Sequence, residues 1–325
     1  MRGAIRQPGH DGGDLIRMRS FFDPTLIERN GVAFIREDQI DNALGRLIPN
    51  VHITKGRYVH PAHAELRDLA WNHMDQNHRP FIHRTYSDAM RVHIGEEAAF
   101  SLTRFGKWPM VVPVFDGHYK DNGFYQVVCL FGLFVVINFI AARADGQRTY
   151  MEIDWAIASH RLLRFLHPAL DRRLRRLNEV QNVEDEGVRD RRVALRADGY
   201  RFQTDNPDFV NSNVVSNNVI FPPVLMPQAV SLADLRDGEV RRIDVDRRAY
   251  LVRRAGEAVQ VWPAICPHEG AAIGPEHVRA NGVKCPWHGL EFGMRLLRPG
   301  SPGVTMCGAR VEFKDASLIV GAAPG

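Results

Sequence analysis

The 325-residue sequence has little cysteine, no long hydrophobic run and no large excess of one charge. Its 4 cysteines are too few for a disulfide framework, and free thiols are typical of the reducing cytoplasm. The most apolar stretch, residues 127–142, contains a glycine and an asparagine and is shorter than the roughly 18–20 apolar residues of a membrane span. We therefore expect a soluble, cytoplasmic protein in which this stretch forms one or two buried strands.

The charge balance argues against a nucleic-acid partner. The net charge is only +4, and no stripe of Lys and Arg interleaved with aromatic residues appears. Residues 161–177 alternate leucines at helical spacing with arginines, a pattern typical of a surface helix. Its basic face is interpreted as solvated, and the alternative is a docking face for an acidic electron donor.

The sequence divides into two parts that differ in their predicted secondary structure. Residues 1–20 are interpreted as a flexible lead-in, and residues 21–222 mix helical and strand-like patterns. The proline-rich segment IFPPVLMP (220–227) indicates a boundary. Residues 228–325 consist of short strand-and-turn units, which predict a small all-β domain.

Two short motifs in the C-terminal part have the spacing of metal ligands. They read C-x-H, sixteen residues, then C-x-x-H. Two thiolates suit the iron that stays ferric and two neutral imidazoles suit the iron that takes the electron, so the pattern predicts a [2Fe–2S] cluster. Zinc is the alternative, although C-x-H spacing is unusual for zinc. The predicted cluster ligands are Cys266, His268, Cys285 and His288.

The segments CPHEGAAIG and CPWHGLEFG resemble the two cluster loops of Rieske proteins, and the resemblance covers about residues 226–325. Gly270 and Gly289 follow each loop histidine and allow a tight backbone path. The extra loop cysteines of respiratory Rieske proteins are absent, which resembles the low-potential ferredoxin and oxygenase branch. Cys129 and Cys307 are interpreted as small buried hydrophobic residues.

A histidine-rich run, WNHMDQNHRPFIH (71–83), is the second candidate metal site. Two histidines and one carboxylate on one face of Fe(II) leave positions open for O₂ and substrate. His78 and His83 are five residues apart, so their convergence requires a break in any helix, which Pro80 is predicted to supply. The alternative pair, His73 and His78, lacks an acid three residues earlier.

This run resembles the iron motif of Rieske non-heme iron oxygenases of the monooxygenase and demethylase type, N-x-M-D-x-x-H-x-x-x-[apolar]-H. The resemblance implies that His78 and His83 bind Fe(II), and that Asp75 is the electron bridge linking a cluster histidine to an iron-bound histidine. It implies Asp185 as the third iron ligand, within a run similar to E-D-x-x-[apolar]. The acids that compete for this role are Glu184, Glu186 and Asp190.

The resemblance implies an α+β protein with an N-terminal helix-grip (START/SRPBCC-like) antiparallel sheet domain and a small all-β Rieske domain. The sheet would surround an apolar pocket, for which five phenylalanines are candidates: Phe100, Phe105, Phe131, Phe134 and Phe139. In the family the Rieske domain comes first, whereas here it comes last. The family forms a ring of three subunits with electron transfer between neighbours, and the reversed order leaves transfer within one chain open.

The implied activity is O₂-dependent oxidation of a small apolar or aromatic substrate, by hydroxylation or demethylation, with mono- and dioxygenation both open. Electrons would come from NAD(P)H through a separate reductase or ferredoxin. The alternative function is an electron-transfer protein, in which a ligand-binding cup without catalytic iron carries a tethered Rieske ferredoxin domain.

Overall fold

A computed structural model of the chain describes residues 26–29, 32–35, 39–94, 98–107, 110–120, 123–146, 148–206, 217–280 and 282–323. The predicted lead-in, residues 1–20, lies outside the described residues. Within the described ranges, no helix is both long enough and apolar enough to cross a membrane.

The N-terminal part is built on a seven-stranded antiparallel sheet, preceded by a small hairpin, β1 (Leu26–Arg29) and β2 (Val32–Ile35). Its strands are β3 (Val51–Ala62), β4 (Tyr86–Ile94), β5 (Ala98–Phe105), β6 (Val111–Lys120), β7 (Gly123–Leu130), β8 (Phe134–Asp145) and β9 (Arg148–His160). The spatial order is β3-β9-β8-β7-β6-β5-β4. The apolar stretch at residues 127–142 thus forms parts of two neighbouring strands, as predicted.

Among the described residues of the N-terminal part, four helices and one 3₁₀ segment accompany the sheet. The α-helices are α1 (Ile40–Leu47), α2 (Leu66–Met74), α3 (Arg79–Ile82) and α4 (His167–Ala197), and the 3₁₀ segment is Arg161–Leu166. The predicted amphipathic helix is wrong at its start, because Leu162 and Phe165 are 72% and 70% exposed. The 3₁₀ turn changes the angular spacing of these side chains, so the apolar face begins only with Leu163 and Leu170.

The two faces of the sheet are covered by different helices. On one face, Met151, Ile153 and Trp155 alternate along β9 and belong to a core that Leu170 and Leu174 of α4 complete. The other face packs against α1 through a second core: Ile40, Leu44, Ile137, Phe139 and Ala158. The period-two alternation of the strands places one apolar set on each face, so both faces of the central strands are buried.

The C-terminal part is all-β. After the short pair β10 (Arg201–Phe202) and β11 (Val219–Ile220), it contains sheets β12-β22-β21-β20, β13-β14-β15-β19 and β16-β17-β18. These strands are β12 (Gln228–Ser231), β13 (Val240–Val245), β14 (Arg248–Ala255), β15 (Ala258–Pro263), β16 (Val278–Arg279), β17 (Gly282–Lys284), β18 (Glu291–Phe292), β19 (Arg295–Leu297), β20 (Val304–Met306), β21 (Ala309–Lys314) and β22 (Ser317–Ala322).

The predicted α+β class is confirmed, with an antiparallel sheet that grips a 31-residue helix and an all-β C-terminal part. The boundary predicted between residues 222 and 228 stays a prediction. The two parts share a continuous apolar core, in which Trp71 and Val188 pack with Cys266, Cys285 and Trp287. This shared core brings α2, α3 and α4 against the two cysteine-histidine loops.

Candidate iron centres

The two cysteine-histidine loops have the same backbone geometry. The Gly270 N–H donates to the Cys266 carbonyl and the Gly289 N–H donates to the Cys285 carbonyl, both at 2.9 Å. Both glycines have positive φ values, +90° and +64°, which favour glycine at these turns. The tight paths predicted at the two glycines are therefore present.

Each glycine is also where the N-terminal part contacts a loop. A Cβ atom on Gly270 would lie 2.7 Å from Cδ1 of Leu195, on α4. A Cβ atom on Gly289 would lie 2.4 Å from the ring of Phe81, on α3. The missing side chains thus allow two elements of the first part to approach the loops closely.

The loops bring the four predicted cluster ligands together. Nδ1 of His268 lies 3.1 Å from Nδ1 of His288, and the Cys266 and Cys285 thiols hydrogen-bond each other. All four residues are buried, and Nε2 of His268 has no partner among the described residues. Two thiols and two imidazole nitrogens converging in a buried site fit a Rieske-type [2Fe–2S] cluster.

The remaining cysteines do not join this site. Cys129 is exposed near the end of β7, so its interpretation as a buried hydrophobic residue is wrong. Cys307 is half-buried and packs against the C-terminal core.

The second predicted site lies where helix α2 ends and α3 begins. α2 stops at Met74, the Asp75 backbone is extended, and α3 forms a single turn between His78 and His83. The prediction that Pro80 breaks the helix is wrong, because Pro80 lies in the first turn of α3, where its missing N–H costs no hydrogen bond. The break comes earlier and places both histidines at the ends of one turn.

Three predicted ligands meet at one point. Nε2 of His78 and Nε2 of His83 are 3.3 Å apart, and Oδ1 of Asp185 lies 3.4 Å and 3.5 Å from them. Asp185 reaches this point from the middle of α4, so the alternative of a solvated acidic turn is wrong. The three form a group whose ligand atoms suit one metal ion.

The surroundings of these residues orient the lone pairs inward. Nδ1 of His83 lies 3.2 Å from Glu184, and Nδ1 of His78 lies 3.5 Å from Asp75. Carboxylates at the Nδ1 atoms favour the tautomers in which both Nε2 atoms are unprotonated. The Arg189 guanidinium donates to Oδ2 of Asp185 at 3.2 Å, and Oδ1 has no hydrogen-bond partner among the described residues.

This donor set fits a divalent cation. Burial lowers the pKa of His83 to about 4, so its ring is neutral at neutral pH. Burial also lowers the pKa of His78, but Asp185 and Asp75 outweigh burial and raise it. A bound cation would take the place of any proton on these ligand atoms, so its binding would favour the neutral imidazoles. Two imidazoles and one carboxylate are the ligands of non-heme Fe(II) sites.

Asp75 joins the two sites. Its Oδ2 accepts a hydrogen bond from Nε2 of His288 at 2.7 Å and lies 3.5 Å from Nδ1 of His78. Burial raises the pKa of Asp75, but the charge and hydrogen bonds of His288 and His78 hold it well below its usual range. Asp75 is therefore a buried carboxylate between one predicted cluster ligand and one predicted iron ligand of the same chain.

The other candidates take different roles. Glu184 contacts His83, and Glu186 accepts from Nε2 of His60 at 2.8 Å. His73, the alternative ligand, stacks on Phe124 with ring centroids 4.9 Å apart. The structure therefore favours Asp185 over its neighbours and His83 over His73.

A buried arginine that the sequence analysis missed links α4 to the cluster loops. Arg192 donates to Asp68 at 2.9 Å and to Glu269 at 2.8 Å. Its guanidinium lies between the rings of Trp71 and Phe202, at 4.0 Å and 3.7 Å. Arginines along α4 give no sequence signal that separates this buried one from its exposed neighbours.

Two neighbouring cavities lie between α4 and the sheet. A cavity of about 50 Å³ is lined by His78, His83 and Asp185, which is room for a few water-sized groups. A cavity of about 600 Å³ is lined mainly by apolar residues. Tyr86, Gln126, Asn178 and Gln181 line both cavities.

Of the five phenylalanines predicted for the pocket, Phe105 and Phe131 line the larger cavity. The prediction is wrong for Phe134 and Phe139, because these two residues belong to the cores on the two faces of the sheet. Phe100 is the cross-strand neighbour of Phe115 on β5 and β6, and it is not among the residues that line the two cavities.

The basic face of residues 161–177 lies far from the cluster loops. Its arginines are exposed, whereas the loop contact on α4 is at Leu195. At about 1.5 Å per residue, Arg176, the last arginine of this face, is about 29 Å along the helix from Leu195. This distance favours the solvated-face interpretation over a docking face for an electron donor.

Comparison with known proteins identifies the C-terminal part. Residues 227–299 match the Rieske [2Fe–2S] domain family. The chain therefore contains a Rieske domain with an iron–sulfur electron-transfer role, and such domains are typical of oxidoreductases. No curated protein matches the chain.

Solved structures similar to this chain align with less than half of it. A protein from Thermus thermophilus shares 9% identity and aligns over 41% of this chain and 95% of its own, with a TM-score of 0.35. The Zhui aromatase/cyclase from Streptomyces sp. R1128 shares 10% identity and aligns over 44% of this chain and 96% of its own, with a TM-score of 0.37. Norcoclaurine synthase from Thalictrum flavum shares 8% identity and aligns over 37% of this chain and 78% of its own, with a TM-score of 0.33.

Proposed function

We propose that this protein is a Rieske-type non-heme iron oxygenase. A [2Fe–2S] cluster at Cys266, His268, Cys285 and His288 would supply electrons, and Fe(II) at His78, His83 and Asp185 would bind O₂, to oxidise a small apolar or aromatic substrate. The observation that carries the proposal is the triangle of converging ligand atoms, linked to His288 through Asp75.

The protein's own residues would prepare both sites. Arg189 occupies one oxygen of Asp185 and leaves the other for a metal, and Glu184 fixes the orientation of His83. Asp75 holds the ring of His288 at one side and faces His78 at the other. A buried carboxylate that contacts both histidines supports electron transfer between the sites within one chain. The 600 Å³ cavity beside the triangle is the proposed substrate site.

The test is the amount of iron and acid-labile sulfide per chain after anaerobic purification, with EPR spectra of reduced and nitric-oxide-treated protein. We expect about three irons to two sulfides and a high-spin Fe–NO signal. The signal should be lost in His83→Ala and kept in His93→Ala, since His93 is exposed on β4.

About two irons to two sulfides, with no Fe–NO signal after Fe(II) is added back, would contradict the oxygenase proposal. The remaining function would then be electron transfer by a Rieske domain tethered to a ligand-binding cup.

A further inference from the structure

A row of polar side chains crosses the cavity face of the sheet at one level. Asp116, Gln126 and Asn138 are direct cross-strand neighbours on β6, β7 and β8. Arg79 donates to both oxygens of Asp116, at 3.2 Å and 3.0 Å. Gln126 donates to Asp116 at 2.9 Å, and Asn138 donates to Gln126 at 3.0 Å. We refer to Arg79, Asp116, Gln126 and Asn138 as the polar ladder.

The direction of every hydrogen bond in the polar ladder is fixed from its Arg79 end. Because both oxygens of Asp116 accept from a guanidinium, Asp116 is a carboxylate and has no proton to donate. The amide group of Gln126 that faces it must therefore be the NH₂ group, which turns Oε1 towards Asn138. By the same reasoning Asn138 must present its NH₂ group to Gln126. The assignment of both amides follows from chemistry, independently of how each amide is drawn.

The polar ladder therefore ends in a hydrogen-bond acceptor. Asn138 is 5% exposed, and its Oδ1 has no hydrogen-bond partner among the described residues. A buried carbonyl without a hydrogen-bond partner is destabilising, so a ligand donor that pairs with it gains affinity. Asn138 lines the 600 Å³ cavity, next to Gln126, which lines both this cavity and the smaller one at the candidate iron site.

We propose that Asn138 Oδ1 is a substrate-binding acceptor that selects molecules carrying a hydroxyl or N–H group on an otherwise apolar body. The inference deepens the proposed function by naming the class of substrate, and it rests on that function only for the oxidation itself. The apolar body would contact the residues that line the rest of the cavity: Phe105, Met110, Val112, Val128, Leu130, Phe131, Val136 and Leu174. The donor group would lie at the inner end, beside the smaller cavity.

A matched pair of ligands tests this selection in the purified holoprotein. 2-Naphthol carries a hydroxyl donor, and 2-methoxynaphthalene has the same ring system and an oxygen without a proton. We expect the wild type to bind 2-naphthol about tenfold more tightly, the size of one net hydrogen bond to a buried acceptor. Dissociation constants follow from titration of the ligand fluorescence.

Two variants separate the acceptor from the cavity. Asn138→Leu alone would leave Gln126 Oε1 as an unpaired acceptor in the same cavity, so it is combined with Gln126→Met, which removes both amides at similar size. In this double variant the affinity ratio should fall to about one while binding of 2-methoxynaphthalene is retained. Retained binding of the ether also shows that the variant is folded. Asn178→Leu removes another amide that lines the cavity outside the polar ladder, and it should keep the wild-type ratio.

Equal affinities in the wild type, no saturable binding of 2-naphthol, or an unchanged ratio in the double variant Asn138→Leu/Gln126→Met would each overturn the proposal. Binding is measured without turnover, so a missing catalytic iron would not alter these outcomes. Failure of the ligand test would likewise leave the iron and sulfide analysis unaffected.

Discussion

Nε2 of His288 donates a hydrogen bond to Oδ2 of Asp75 at 2.7 Å, across 213 residues of the same chain. His288 belongs to the second cluster loop, whereas Asp75 follows the helix that leads to His78 and His83. The reversed domain order therefore still allows the carboxylate bridge expected from the oxygenase resemblance. The bridge forms within one chain, without a second subunit. The prediction of a ring of three subunits is not needed for this contact.

Replacing Asp75 by Asn tests this bridge. Asn keeps the shape but removes the charge between His288 and His78. We expect both metal sites to remain loaded and substrate-dependent O₂ consumption to fall about 100-fold, the upper range for partners of metal ligands. The cluster's reduction potential should rise, because an anion next to the more negative reduced state is lost. Asp88→Asn, on exposed β4, is the control. Unchanged activity and potential would contradict the bridge.

The third ligand can be separated from its neighbour by a pair of variants. Asp185→Ala removes a predicted ligand atom and should abolish binding of the mononuclear iron. Glu184→Gln changes the partner of His83 Nδ1 and of the Arg84 backbone but leaves Asp185 in place, so iron should still bind with about 10–100-fold lower affinity. Iron titration followed by the Fe–NO signal measures both. The reverse order of the two effects would make Glu184 the ligand.

Arg192 is predicted to hold the two parts of the protein together. Arg192→Met leaves buried Asp68 with Arg196 as its one arginine partner and leaves buried Glu269 with the Asn218 amide and no cation, which should lower the free energy of unfolding by about 3–5 kcal/mol. Thermal unfolding and loss of the cluster's visible absorbance should shift together to lower temperature. Arg172→Met, at an exposed position of the same helix, should behave as wild type. Equal melting temperatures for both variants would contradict this role.

His167 predicts a pH dependence of stability. Its ring is 1% exposed and contacts the hydroxyls of Thr54 and Ser159 at 2.9 Å and 2.8 Å. Burial lowers its pKa, so the native ring takes up a proton less readily than the unfolded chain, in which histidine titrates near about pH 6.5. Stability contributed by the neutral ring is therefore present above that pH and is lost as the pH falls.

The measurement is chemical denaturation at pH 7.5 and pH 5.5. Between these two values, the wild type should lose more unfolding free energy than His167→Gln. The exposed His63→Gln should keep the wild-type pH dependence. An identical loss in wild type and His167→Gln would contradict the assignment.

The spacing of residues within short motifs predicted the candidate metal ligands better than it predicted the residues around them. Short motifs contain the cluster ligands and the pair His78 and His83. Because the ligands within each motif are only a few residues apart, the local backbone determines most of their relative positions. Asp185 came from a weaker resemblance, and the structure brings it to the same point. The roles of all these residues remain predictions.

The surroundings depend on pairings between distant segments. The polar ladder follows from the register of β6, β7 and β8, in which Gln126 faces Asn138, and a one-residue slip would turn both side chains to the other face. Arg192 is one of many arginines in α4, and only tertiary packing separates it from the exposed ones. The break before α3 was misplaced because Pro80 is tolerated in the first turn of a helix.

Electron transfer within one chain is tested most directly by mixing two defective chains. Cys285→Ser should lack the cluster, and His83→Ala should lack the mononuclear iron. The two are co-expressed with different tags, purified through both tags and reduced anaerobically, and reoxidation of the cluster by O₂ is followed by its visible absorbance. We expect the mixed complex to reoxidise as slowly as His83→Ala alone, or no mixed complex to form because the active protein is a monomer. Reoxidation of the mixed complex at the wild-type rate would contradict transfer through Asp75 within one chain.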